Sequence, residues 1–195
     1  RVLEWTGIEV NVHRAGDWAA NADTLRALRR LGFIADFSAS AWSRSCAIPG
    51  ASGMGNGWHL IEDMLCAAGT CYRDRLTGRI RRMDLGGVSM AEVRECVHGG
   101  NDPLILTPHS FSLMRFNPAR TRFRPDRGYV RRLHRYVEMA RDAGYRFQSA
   151  REAAMAVTGQ IAGETASRPL PVSSLPASLS GVAKSLAERA RARLA

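Results

Sequence analysis

The 195-residue chain is poor in lysine and in long apolar runs. Lys184 is its only lysine, and nearly all of its positive charge is arginine. No apolar run approaches the roughly 20 residues that cross a bilayer, so no membrane span is expected. The chain also lacks a Walker loop, a G-x-S-x-G elbow and a G-x-G-x-x-G fingerprint. Its five histidines, at 13, 59, 98, 109 and 134, form no H-x-x-x-H or H-E-x-x-H pair, so the sequence shows no metal site. Four cysteines, Cys46, Cys66, Cys71 and Cys96, match no zinc or redox spacing. Cys66 and Cys71 can pair across a loop in an oxidising compartment; otherwise all four are buried thiols.

What remains is a globular composition, 45% hydrophobic, with a formal net charge of +10. Such a charge suits nucleic acid or another anionic polymer. Pairs such as Arg29-Arg30, Arg81-Arg82 and Arg131-Arg132 instead read as solvated surface, mostly on helix faces, and no nucleic-acid recognition motif accompanies them. The Arg and Ala bias is that of a GC-rich genome. The opening Arg1-Val2-Leu3 reads as the middle of a longer protein.

Residues 7–14 and Phe33 to Phe37 read as buried strands around a helix from Asn21 to Leu31, which Asn21 or Asp23 caps and Gly32 ends. This βαβ unit implies a parallel sheet. Residues 39–57 read as a long loop, Trp58 to Ala68 as a helix and Arg79 to Leu85 as a polar strand. Ser89 opens a capping-box helix that ends at Gly99-Gly100. Leu104 to Leu106 is the next expected strand, 112–127 a loop, and Val130 to Gly144 a helix. Tyr145 to Phe147 reads as a strand, and Ser149 opens a second capping-box helix. The pattern is α/β, with a domain over 1–160, a Ser/Pro-rich linker over 161–180 and a short Ala/Arg-rich helix over 181–195.

Strands of this kind deliver side chains at their C-terminal ends. His109, after Leu104-Ile105-Leu106-Thr107-Pro108, is the first candidate, as an acid or base or as a backbone-bonded strand cap. Arg14 can grip a carboxylate through its planar fork or lie free on the surface. Asp36 can hold a histidine or cap a turn. Trp18 can stack on a sugar or fill the core. His13, which alternates with Arg14 along the strand, reads as structural.

His13-Arg14-Ala15-Gly16-Asp17-Trp18, Leu31-Gly32-Phe33 with Asp36 and Ser38, and Leu104-Ile105-Leu106-Thr107-Pro108-His109 together resemble the middle and end of polysaccharide deacetylases of the NodB-homology family. The similarity spans roughly 5–157. It implies a partial distorted (β/α) barrel and metal-assisted removal of N- or O-acetyl groups from a glycan. By this resemblance Arg14 holds a base, Asp36 tunes the acid, His109 is that acid and Trp18 lines the substrate cleft. The divalent metal, zinc by resemblance, would have its ligands upstream of residue 1, so the segment alone would be inactive. Ala15-Gly16 replaces the family's Pro-Pro, and Phe37 its Trp, which marks a divergent branch. A non-catalytic glycan- or protein-binding module of the same fold is the alternative. A basic nucleic-acid module is a further one.

Overall fold

The computed structural model describes residues 2–117, 119–158, 167–168 and 170–193. Its elements, in chain order, begin with α1 (Val2–Thr6), β1 (Val12–His13), α2 (Ala22–Arg30) and β2 (Ala35–Asp36). A strand pair, β3 (Asn56–Ile61) and β4 (Met64–Ala68), follows, then β5 (Cys71–Arg73), β6 (Ile80–Arg82) and α3 (Met90–His98). The rest comprises β7 (Met114–Phe116), β8 (Phe123–Pro125), α4 (Arg127–Asp142), α5 (Ala150–Thr158), β9 (Ser167–Arg168) and α6 (Leu175–Arg193). The segments group into two compact units that interleave along the chain. No described helix is long and apolar enough to cross a membrane.

The first unit comprises residues 1–71, 101–105 and 147–170. Its sheet has the order β1-β2-β4-β3-β9, parallel from β1 through β4 and antiparallel thereafter. β4 lies at the centre and is buried along its whole length. Met64, Cys66 and Ala68 enter one core cluster with Leu25 and Leu28 of α2. Leu65 and Ala67 enter the opposite cluster with Ala154 of α5 and Ala35 of β2. This alternation gives a helix on each face of the sheet. α2 starts where the side-chain oxygen of Asn21 accepts from the backbone N–H of Thr24 at 2.9 Å, and the Thr24 hydroxyl accepts from the Asn21 N–H.

Four expectations need correction here. The strand over 7–14 shortens to Val12–His13, and that over 33–37 to Ala35–Asp36. The helix expected from Trp58 to Ala68 is the β3–β4 hairpin. Its apolar residues mimic helical spacing because β4 is buried on both faces, which removes the two-residue alternation of a half-exposed strand. Its two-residue turn, Glu62-Asp63, has φ of 52° and 54°, the geometry Asn-Gly usually supplies. Leu104 to Leu106 form no strand; Ile105 N–H instead donates to the Thr70 hydroxyl at 2.7 Å. Residues 39–57 pack onto the fold, with Ala39, Ile48, Ala51 and Met54 in the α2-side core.

The second unit comprises 72–100, 106–146 and 171–195. The Ser89 capping box starts α3 as expected, with Ser89 N–H donating to Glu92 Oε2 at 2.6 Å. Glu92 is fully buried and also accepts from Tyr72 Oη at 2.7 Å and Arg81 Nη1 at 2.8 Å. Burial, and then the hydrogen bond to Glu92, hold the Tyr72 hydroxyl well above its ordinary pKa. The expected 112–127 loop carries the β7–β8 hairpin, and Tyr145 to Phe147 form no strand. The final helix is longer than 181–195 suggests. It begins at Leu175, inside the expected linker, because Ala177 and Ser178 are buried. Residues 161–166 and 169 of that linker, with 159–160 before it and 194–195 of the helix, lie outside the described residues.

Candidate functional site

Parallel pairing of β1 with β2 aligns Val12 with Ala35 and His13 with Asp36. The alternation places Val12 and Ala35 in the α5-side core and leaves His13 and Asp36 on the α2 side. There His13 Nδ1 donates to Asp36 Oδ2 at 2.7 Å. Asp36 is fully buried, whereas the His13 side chain is 30% exposed. The Ser38 hydroxyl donates to the same Asp36 oxygen and the Ser38 N–H to the other, both at 2.8 Å. Ala15 N–H then donates to the Ser38 hydroxyl at 2.8 Å. The carboxylate is therefore satisfied by three donors, as a buried carboxylate must be. Bonding at Nδ1 sets the tautomer, with the proton of that bond on Nδ1.

The same register continues across the sheet from Asp36 to Cys66 and on to His59. Burial, with the nearby Asp36 charge adding to it, pushes the Cys66 thiol up to about 12. Burial holds the His59 imidazole below its ordinary pKa, although His59 Nε2 bonds the Gly55 carbonyl at 3.0 Å. Cys66 and Cys71 are not joined by a loop disulfide.

Arg14 emerges immediately beyond the end of β1 and is exposed. Its guanidinium lies 5.1 Å from the Trp18 ring centroid, a cation–π contact, and no described carboxylate is ion-paired with it. The turn that follows is strained. Asp17 and Trp18 have φ of 52° and 56°, a region unfavourable to residues with a Cβ. The Ser45 hydroxyl holds Asp17 Oδ2 at 2.7 Å, and Trp42 packs edge-on against Trp18 at 4.7 Å. Trp18 itself is 4% exposed. It is a core side chain in this arrangement, with too little open surface for a sugar to stack upon.

His109 belongs to the second unit. It precedes a 3-10 turn, Ser110–Leu113, and is half-buried. Its ring stacks flat on Phe111, with centroids 4.6 Å apart.

Thus Arg14, Asp36 and Trp18 share the C-terminal end of the β1–β2 pair. The imidazole bonded to Asp36 is that of His13, a partnership the sequence reading missed. The signal was two short apolar strands joined by one helix, each carrying a polar residue at the same distance from its end. Among the described residues, no group of three or more His, Cys, Asp and Glu side chains could hold a metal ion. These residues do not supply a metal site. No protein family, no curated protein and no solved structure matches the chain.

Proposed function

We propose that the chain is the C-terminal portion of a metal-dependent deacetylase acting on N- or O-acetylated glycans, with its parallel strands part of a distorted (β/α) barrel. One observation supports this most: a buried carboxylate, an imidazole and an arginine gather at the C-terminal ends of adjacent parallel strands. Ligands of α/β folds bind at such ends. Asp36 fixes the orientation of the His13 ring, while Arg14 adds positive charge at the same strand end. On this reading the metal ligands precede Arg1, Arg14 and His109 carry the roles the sequence resemblance implies, and the imidazole that Asp36 positions is that of His13.

The test is acetate release by the chain expressed with the coding sequence that precedes it. Oligomers of N-acetylglucosamine and acetylated xylan serve as substrates. Arg14→Ala, Asp36→Asn and His109→Ala should each lower release by about a hundredfold or more, with the circular dichroism spectrum retained. Full activity in all three would refute the site. Glycan binding without acetate release from the parent protein would establish the non-catalytic alternative.

A further inference from the structure

The β7–β8 hairpin of the second unit combines apolar exposure with unbalanced charge. Its register pairs Phe116 with Phe123 and, one residue away, Arg115 with Arg124. Successive residues of a strand face opposite sides, so the ribbon has an aromatic face and a basic face. Phe116 is 45% exposed and Phe123 is 70% exposed, and Phe111 and Leu113 just before the hairpin are exposed as well. Asp126 is the only acid between Phe111 and Arg131. It is already engaged, accepting from Arg115 Nε at 2.7 Å and from the Tyr129 N–H at 3.0 Å as the cap of α4. Arg120, Arg122, Arg124 and Arg127 have no ion pair among the described residues.

The hairpin is also held in place. Asp126 N–H donates to the Leu113 carbonyl at 2.7 Å, tying its base to α4. Asn117 fixes the tip, accepting from the Arg122 N–H at 2.8 Å and donating to the Thr121 hydroxyl at 3.0 Å. A fixed ribbon that keeps bulky apolar side chains in water bears a cost that a partner would relieve.

We infer that this hairpin docks tip-first on an anionic lipid surface, so that both faces of the ribbon meet the bilayer at once, the phenylalanines flanking the tip entering the headgroup–acyl boundary and the arginines meeting the headgroup charges. The charge excludes a neutral partner as the best fit, since polybasic segments gain from each negative headgroup. The side-chain chemistry favours lipid over single-stranded nucleic acid. Phe116 and Phe123 lean on each other at 46°, and Phe111 is stacked on His109, so the rings are not a row of open platforms for bases. Leu113 adds apolar area but no stacking. The surface stands independently of any acetyl-group chemistry in the first unit.

The experiment is co-sedimentation of the full chain with large unilamellar vesicles, either phosphatidylcholine alone or with about a quarter phosphatidylglycerol. Binding to the anionic vesicles should be at least about tenfold tighter and should fall as salt shortens the Debye length. Arg122→Gln with Arg124→Gln should erase most of that preference. Phe116→Ser with Phe123→Ser should weaken vesicle binding by about tenfold. Phe116→Leu with Phe123→Leu should preserve it, because leucine inserts into lipid but cannot stack on a base. Equal binding to both vesicle types overturns the inference, as does anionic binding indifferent to the serine pair. Tight binding of oligothymidine that the leucine pair abolishes, with no vesicle binding, would assign the surface to nucleic acid instead.

Discussion

His13 Nδ1 lies 2.7 Å from Asp36 Oδ2, across two strands that are each two residues long. So short a pair has little ladder of its own, and the side-chain bonds add to what holds it. Asp36→Ala would strand the His13 ring, the Ser38 N–H and the Ser38 hydroxyl in or beside a fully buried position. Unsatisfied buried donors cost about 1–3 kcal/mol each, and partial relaxation should leave a net loss of about 3 kcal/mol. Urea unfolding checks the magnitude. Asp36→Asn adds a sharper readout, since its amide can present a donor to Nδ1. Long-range nitrogen-15 NMR should then show the His13 proton moving from Nδ1 to Nε2; an unchanged tautomer would refute the Asp36 assignment.

The Glu62-Asp63 turn sets two opposing effects against each other. Each residue sits at positive φ, which costs a side-chain-bearing residue about 1–2 kcal/mol. Arg26 meets Glu62 through two bonds of 2.8 and 3.1 Å, and Arg29 meets Asp63 at 2.6 Å. These pairs are partly or largely exposed, and such pairs contribute about 0–1 kcal/mol each. Backbone relief should win. Glu62→Asn combined with Asp63→Gly is expected to stabilise the protein by about 1 kcal/mol, read as a rise in the urea midpoint. A fall would show that the arginine contacts, not the backbone, dominate the turn.

Gly181 in α6 faces Glu92. A Cβ built there would lie 2.5 Å from Glu92 Oε1. Helix propensity alone would favour Gly181→Ala by about 1 kcal/mol. Three hydrogen bonds anchor the buried carboxylate, however, so it cannot yield cheaply. Net destabilisation of about 1–3 kcal/mol is expected, in line with overpacked cores. Ser180→Ala, on the exposed side of the same helix, should leave thermal stability nearly unchanged. A stabilised Gly181→Ala variant would mean that α6 can move away from Glu92.

His59 provides a pH dependence. Burial lowers its folded pKa below the ordinary imidazole value. Between the folded and unfolded values, the unfolded chain binds the proton and the native chain does not. Stability therefore rises with pH through that window, and the His59 contribution is lost as pH falls below about 6.5. Urea midpoints measured at about pH 7.5 and about pH 5.5 should differ more for the parent than for His59→Gln. Equal differences would assign the acid sensitivity to other groups.

The helices were legible because their signals are local. Asn21 with Thr24, Ser89 with Glu92, and Ser149 with Glu152 each close a capping box within four residues. The polar residues at the ends of the first two strands could be picked out for the same reason. The β3–β4 hairpin was not legible, because two-sided burial hid its period and Glu62-Asp63 is not a usual turn pair. Leu104 to Leu106 misled in the opposite direction, since an apolar run needs a ladder partner to be a strand, and β4 already occupies the far side of β2.

The sequence by itself determined the α/β class, the start and end of α2 and α3, the basic charge and the candidacy of Arg14 and Asp36. Tertiary structure alone decided that Asp36 holds His13, that Trp18 is buried and that His109 falls in the second unit. Helix caps are written in residues three or four apart. A parallel register joins residues 23 apart, and its hydrogen bonds exist only once the helix between them has brought the strands side by side.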